Sequence, residues 1–423
     1  MERAVPVLGL AVLVGICWLL SDAKRAIDWR IPAWGIALQL LFGVVALRTA
    51  WGRAAFEAAG AGVTTLLGFS RQGAELVFGA PLLGGPLGTG GDGAPVSLGW
   101  VFAFQVLPSI LFFSALTSVL YHLRVLEAVV RGIAWLLRRV MRVSGAEAFS
   151  TAANVFVGQT EAPLLVRPFL SKMTRSELFC VMTGGFATVA GGVLAAYIGM
   201  FQAQNPAFAT KLAGHLIAAS LMSAPAALVC AKLMRPETEE PVTGGDARIV
   251  LARPARNVVD AAVGGTRDGL LLAVNVGAML IAFTALIALL NAGLAGVGGW
   301  FGAPGWSLEG GLGVLFTPLA WLLGAPWDEA ARVGEFVGVK TVLNEYIAYQ
   351  RLAPVTDLSE RAMVVATYAL CGFSNFASIA IQVGGIGALV PARRATLAQE
   401  GFPAMVAGSL ACFMTACVAA LLL

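Results

Sequence analysis

Apolar residues along this chain run in long unbroken blocks rather than at amphipathic spacing. The blocks at 4–21, 31–48, 97–121, 178–200, 208–231, 269–298, 362–390 and 401–423 approach or exceed the length a helix needs to cross a bilayer, about 20 residues. The pattern therefore predicts eight spans. Three further stretches mix apolar and charged positions at helical spacing, 53–79, 122–142 and 249–267, and read as interfacial helices. The second of these carries Arg124, Arg131, Arg138, Arg139 and Arg142 among Val, Leu and Trp. Segments 150–171 and 330–351 are apolar at both ends but polar in the middle, which suits neither an ordinary span nor a loop.

Composition agrees with the pattern. Hydrophobic residues make up 58% of the chain and charged residues only 12%, where a soluble domain carries about 25% charged. Mean hydropathy is +0.81. No soluble globule has the interior to hide this much apolar sequence, and disorder and coiled coil are excluded as well. The expected class is an all-α polytopic membrane protein. The net charge of +4 is not gathered into a basic run, so nothing points to a nucleic-acid partner. The six cysteines lie scattered in apolar stretches and there are two histidines, which gives no metal-like cluster. Residues 1–21 lack a cleavage site followed by a polar mature domain and read as a first span.

Basic residues predict the orientation. Five clusters stand out: Lys24, Arg25 and Arg30; the arginines of 124–142; Lys172 and Arg175; Lys232, Arg235, Arg248, Arg253 and Arg256; and Arg393 and Arg394. Threading eight spans with both termini outside puts all five in the cytoplasm. The loops at 49–96, 201–207 and 299–329 then lie outside. In this threading 150–171 leaves and re-enters the cytoplasm, and 330–351 leaves and re-enters the outside. Each is too short for two spans, so each is expected to be a re-entrant hairpin, and the two enter from opposite faces. Opposed hairpins are a mark of inverted-repeat secondary transporters. The expected organisation is N-terminal scaffold spans and interfacial helices over 1–142, a first hairpin unit over 143–231, an interfacial helix and long scaffold span over 232–325, and a second hairpin unit over 326–423.

The units share a local pattern. The first has Gly158-Gln159-Thr160-Glu161-Ala162-Pro163 at its tip, followed by a span carrying Thr183 to Gly192; the second has Leu343-Asn344-Glu345-Tyr346, followed by a span carrying Leu370 to Ser378. Aligned on Gly-Phe, Thr188 answers Asn375. The small and polar residues of these spans fit helix packing or an unwound stretch. Glu161 and Glu345 lie between apolar runs, where an ionised carboxylate costs at least about 2.5 kcal/mol and needs a donor, an ion or a cavity. A salt bridge with Arg167 or Lys340 is one answer; a ligand site is the other. Gln159, Thr160, Asn344, Asn375 and Ser378 offer donors and acceptors together, which suits a polar, largely neutral ligand. Separately, Asn154 and Thr188 supply side-chain oxygens to which Val157 and Val189 could add carbonyls, an oxygen-only set for a hard cation. Asn154 also fits a cap or a hairpin turn.

Three of these runs resemble the signatures of the concentrative nucleoside transporter family, in its bacterial eight-span form: Val157 to Leu165, Leu343 to Tyr349, and Ala369 to Ser378. The resemblance implies a homotrimer in the inner or plasma membrane that imports nucleosides by cation symport. It places nucleobase recognition on Gln159, Thr160 and Glu161. Ribose recognition falls on Glu345, Asn375 and Ser378, with Phe373 close to sugar and base. The sodium site falls on Asn154, Val157, Thr188 and Val189; sodium is the coupling ion and no other cofactor is implied. Threonine at 188 stands where close relatives carry serine and keeps the hydroxyl, and Tyr346 replaces a more usual phenylalanine. Some bacterial members are proton-coupled. Alternatives from other classes are a transporter of another polar solute, a membrane enzyme using Glu161 and Glu345 as acid and base, and a channel, against which the unlike tips argue.

Overall fold

The computed structural model describes residues 3–89, 95–98, 101–244, 255–303 and 305–423. The predicted cluster members Arg248 and Arg253, part of the 249–267 segment, and residues 99–100 of the third predicted span lie outside the described residues. The fold is almost wholly helical; a two-stranded antiparallel ribbon, Pro86–Thr89 against Pro95–Ser97, is the exception among the described residues. Among the described residues six helices are long and apolar enough to cross a membrane, seven if the bent pair Leu308–Leu322 and Trp327–Val342 is taken as one span rather than as part of a re-entrant turn. Two predicted blocks take another form. The first is the 16-residue helix Ala4–Leu19. The block 362–390 is two helices, Glu360–Leu370 and Phe376–Leu389.

Three expectations need correction. The predicted interfacial helix ending at 267 and the span beginning at 269 are one 43-residue helix, Val258–Trp300. No proline interrupts it, and Gly265 and Gly269 form a small-residue face against Ser114 of the helix Leu107–His122, the close backbone approach such residues permit. The outer loop 299–329 contains a helix, Leu308–Leu322, whose apolar run is too short and too interrupted, by Glu309 and Pro318, to signal a span. The repeat register also differs. Gly185 and Phe186 lie inside a helix, whereas Gly372 and Phe373 lie inside a break. Aligned on helix ends, Asn375 answers Ala190, and Thr188 answers Cys371. The Gly-Phe match was local chemistry, not register.

The remaining elements follow from local rules. Helix Val125–Met141 buries Leu126, Val130, Ala134, Leu137 and Met141, one stripe at spacings of three and four. The segment 53–79 is the helix Ala50–Phe78, capped by Thr49, whose Oγ1 accepts from the Gly52 amide. Hairpin one descends as Gly145–Ala153 and returns through two short helical turns over 162–170; hairpin two descends as Trp327–Val342 and returns as Glu345–Leu352. Hairpin one and the helix after it start with the same device. Ser144 with Glu147, and Thr174 with Glu177, each form a reciprocal capping box. Glu147 also pairs, fully buried, with Lys232 at the end of Pro206–Met234, and Lys232 Nζ donates to Ser176 Oγ at 2.8 Å. That pair ties the base of hairpin one to its neighbours.

Candidate functional site

Two helices stop and restart in mid-course. One runs Arg175–Ala187 and resumes as Gly191–Gln204; the other runs Glu360–Leu370 and resumes as Phe376–Leu389. The breaks touch. The Phe373 amide donates to the Thr188 carbonyl at 3.3 Å. Gly372 must be glycine here, because a Cβ would lie 2.8 Å from the Phe186 carbonyl oxygen and 2.5 Å from Cys412 Sγ. Each break leaves backbone groups without intrahelical partners, and the hairpin tips come to them. The Gly191 amide donates to Phe156 O of hairpin one at 3.0 Å.

Hairpin two brings its carboxylate to the second break. Asn344 caps Glu345–Leu352 by accepting from the Ile347 amide at 2.8 Å, which sets Glu345 in the first turn, where the helix end favours a negative charge. Glu345 is buried. Its Oε2 accepts from Asn375 Nδ2 at 2.8 Å and its Oε1 from the Tyr197 hydroxyl at 3.2 Å. Asn375 in turn caps Phe376–Leu389, its Oδ1 accepting from the Ser378 amide at 2.9 Å. So one side chain caps a half-helix through its oxygen and holds the carboxylate through its nitrogen. Lys340, fully buried one turn before the tip, donates to Ala369 O at 2.9 Å, a carbonyl near the end of the half-helix Glu360–Leu370.

Hairpin one meets the same break from the other side. Gln159 Nε2 donates to Ser378 Oγ at 3.2 Å. The path Gln159–Ser378–Asn375–Glu345–Tyr197 therefore joins both hairpins and both broken helices. Of the residues expected to act together, Gln159, Glu345, Asn375 and Ser378 lie on it. Phe373 is half-buried beside it, in the break. Thr160 and Glu161 are exposed, and Glu161 turns back to accept from its own hairpin's Gly158 amide at 3.0 Å. The salt-bridge alternative for Glu345 gives way to Tyr197 and Asn375, since Lys340 is engaged by Ala369 O.

Two of the expected cation residues, Asn154 and Thr188, lie at Gly184. Thr188 Oγ1 donates to Gly184 O at 2.8 Å, and a Cβ at Gly184 would lie 3.3 Å from Asn154 Nδ2. Asn154 is fully buried at the C-terminal end of Gly145–Ala153, a turn residue rather than an N-cap. Its Nδ2 donates to Ser150 O at 3.1 Å, and its Oδ1 has no partner among the described residues. An orphaned buried carbonyl oxygen calls for a donor or a cation. Val157 and Val189 are buried in the hairpin turn and the break. The donors here are all neutral oxygens, which fits a hard monovalent ion.

Sequence reasoning missed two residues. Tyr197 is a lone hydroxyl in an apolar run and gave no signal of its partner. Gln382 gave one: Asn375, Ser378 and Gln382 fall at i, i+3 and i+7, one face of a helix. Gln382 Nε2 donates to Gln159 Oε1 and to Met182 O, both at 3.1 Å.

Comparison with known proteins identifies the family. Residues 8–81 match the N-terminal family model of the Na+ dependent nucleoside transporters, 215–420 match the C-terminal one, and 103–204 match a nucleoside-recognition model. An uncharacterized transporter of Haemophilus influenzae is 42% identical over 422 residues, 98% of this chain and 96% of that protein. Sodium/nucleoside cotransporter 1 of Mus musculus is 38% identical over 438 residues, which span 100% of this chain and 64% of the mouse protein. The solved structure of CNTnw in an inward-facing substrate-bound state matches with a TM-score of 0.90 at 41% identity, covering 100% of this chain and 98% of that one. The chain is a multi-pass membrane transporter, not an enzyme, and it belongs to the Na+ dependent nucleoside transporter family.

Proposed function

We propose that this protein is a symporter that imports nucleosides, driven by sodium moving down its gradient. The observation that carries the reading is Glu345: a buried carboxylate at the tip of hairpin two, held by two neutral donors, one from each broken helix. A carboxylate so held accepts strongly from hydroxyl groups, and a ribose diol presents two. Glu345, Asn375 and Ser378 take the ribose, with Phe373 against sugar and base. Gln159 offers the nucleobase edge an amide, and Thr160 and Glu161 complete the base side from the hairpin's open face. The Gln159–Ser378 hydrogen bond is the contact that the substrate replaces.

Sodium sits on Asn154 and Thr188 with the carbonyls of Val157 and Val189. The orphaned Asn154 Oδ1 supports this, as does the sodium coupling named for the mouse relative. Binding there would fix the hairpin-one turn against the first break, so that Gln159 is presented for the base. Coupling of this kind is reciprocal: sodium tightens nucleoside binding as much as nucleoside tightens sodium. Counting Ala4–Leu19 and the broken helix 360–389 with the six long helices gives the eight spans, with both termini on the periplasmic side of a bacterial inner membrane. The exposed face of Val258–Trp300, with Leu271, Ile281 and Leu289, suits lipid and the neighbouring copies of a homotrimer.

The test is uridine uptake into proteoliposomes with an imposed sodium or proton gradient and no other energy source. Sodium should drive accumulation against a gradient; uptake driven only by protons would replace sodium as the coupling ion, and no gradient-driven uptake would overturn symport of uridine. Orientation is tested by labelling from the outer face. The native cysteines are all buried, so background labelling should be low. Gly305→Cys should label and Glu239→Cys should not; the reverse pattern overturns the threading.

A further inference from the structure

We propose that Gln382 is a positioning residue for base recognition, one that fixes which end of the Gln159 amide faces the substrate. This rests on the nucleoside reading above. Gln382 is fully buried, and its Nε2 donates at once to Gln159 Oε1 and Met182 O, each at 3.1 Å. The Met182 carbonyl belongs to a helix and can only accept. A reversed Gln382 amide would set oxygen against that carbonyl and against Gln159 Oε1, so the Met182 carbonyl dictates that Gln382 donates. Gln159 must then accept with its oxygen and keep its Nε2 for the site, where it now meets Ser378 Oγ at 3.2 Å. Polarity passes from a fixed backbone group through two amides to the ligand. The group presented to a nucleobase is a donor, and the edge it selects is a base acceptor, a carbonyl oxygen or an unprotonated ring nitrogen.

Two further observations fit. Gln382 Oε1 is buried with no partner among the described residues, a penalty that a residue serving packing alone would not need to carry. Gly185 makes the space for the pair: a Cβ there would lie 2.8 Å from Gln382 Nε2 and 3.0 Å from Gln159 Cβ. Gln382 itself reaches no ligand in this scheme; it acts through Gln159.

The test is equilibrium binding of uridine and 2′-deoxyuridine to the purified full-length protein at saturating sodium, for wild type, Gln382→Met, Gln159→Ala and the double variant. Each single substitution should weaken uridine roughly tenfold, the scale of one hydrogen bond to a neutral partner. The double variant should be no weaker than the weaker single, because both remove one interaction. The ratio of uridine to 2′-deoxyuridine affinity should stay at the wild-type value in Gln382→Met, since the ribose contacts are separate. Losses that multiply in the double variant, or a changed ribose ratio, would overturn the proposal while leaving nucleoside binding intact. Wild type that binds no uridine would overturn the nucleoside reading and this proposal with it. If Gln382→Met does not fold, Gly185→Ala crowds the same pair and takes its place in the cycle, with the same two outcomes.

Discussion

The two hairpin units share an architecture and differ in chemistry. Each has a hairpin whose tip lies against a broken helix, and the breaks are joined by the Phe373 amide and the Thr188 carbonyl. At the second unit, asparagines cap both restarting helices, and the buried Glu345 is satisfied by side chains from two other elements. At the first unit, Glu161 accepts from its own hairpin's Gly158 amide at the exposed tip, the buried charge of Glu147 is paired with Lys232 at the hairpin base, and the buried neutral amide of Asn154 near the break has one atom left over among the described residues. The same scaffold therefore holds a paired carboxylate at one break and a buried amide oxygen without a partner among the described residues near the other. What separates them is where the charge sits and what satisfies it, not the course of the backbone.

Substitutions should act differently on the two units. The largest effect is expected where the units touch. Gly372→Ala drives a Cβ into the Phe186 carbonyl and Cys412 Sγ, and overpacking of this kind costs about 1–3 kcal/mol or more. Sodium and nucleoside binding should fall together, with a lower thermal midpoint. Loss of one without the other would show that the breaks are not mechanically joined. A smaller and one-sided effect is expected at Thr188. Thr188→Ala removes the hydroxyl of the proposed cation site, so the sodium concentration for half-maximal uptake should rise several-fold while nucleoside affinity at saturating sodium changes less. Unchanged sodium dependence in folded protein would count against the cation site. The smallest is expected at Glu161. Glu161→Gln keeps an oxygen for the Gly158 amide at an exposed position, and net hydrogen-bond energies there are near 1 kcal/mol, so uridine affinity should shift by about fivefold or less. A loss as large as that of a buried carboxylate would place Glu161 at the centre of the site.

Much of this was legible in the sequence because the signals were physical necessities. Carboxylates and amides inside apolar runs have to be satisfied, so Gln159, Glu345, Asn375 and Ser378 stood out before their partners were known. The hairpins stood out because 150–171 and 330–351 were too short to cross twice. What was hidden depended on packing. Tyr197 reads as an ordinary aromatic until its ring stacks on Tyr349 at 4.3 Å and its hydroxyl reaches Glu345. The helix Leu308–Leu322 lacks a span-length apolar run, and the charged pair Arg267-Asp268 interrupts the apolar pattern inside the continuous helix Val258–Trp300. The repeat register failed because a dipeptide match ignores where a helix ends.

Glu345 of the second unit is the residue proposed to read the ribose. Binding of uridine, 2′-deoxyuridine and 3′-deoxyuridine to wild type and Glu345→Gln tests this role. Removing the charge while keeping the shape should weaken uridine by about 10-fold to 150-fold, the range for a hydrogen bond to a charged group. The analogue that lacks the contacted hydroxyl should lose much less, because the two changes remove one interaction. Equal losses for all three nucleosides would contradict the account and leave Glu345 a structural carboxylate for Tyr197 and Asn375.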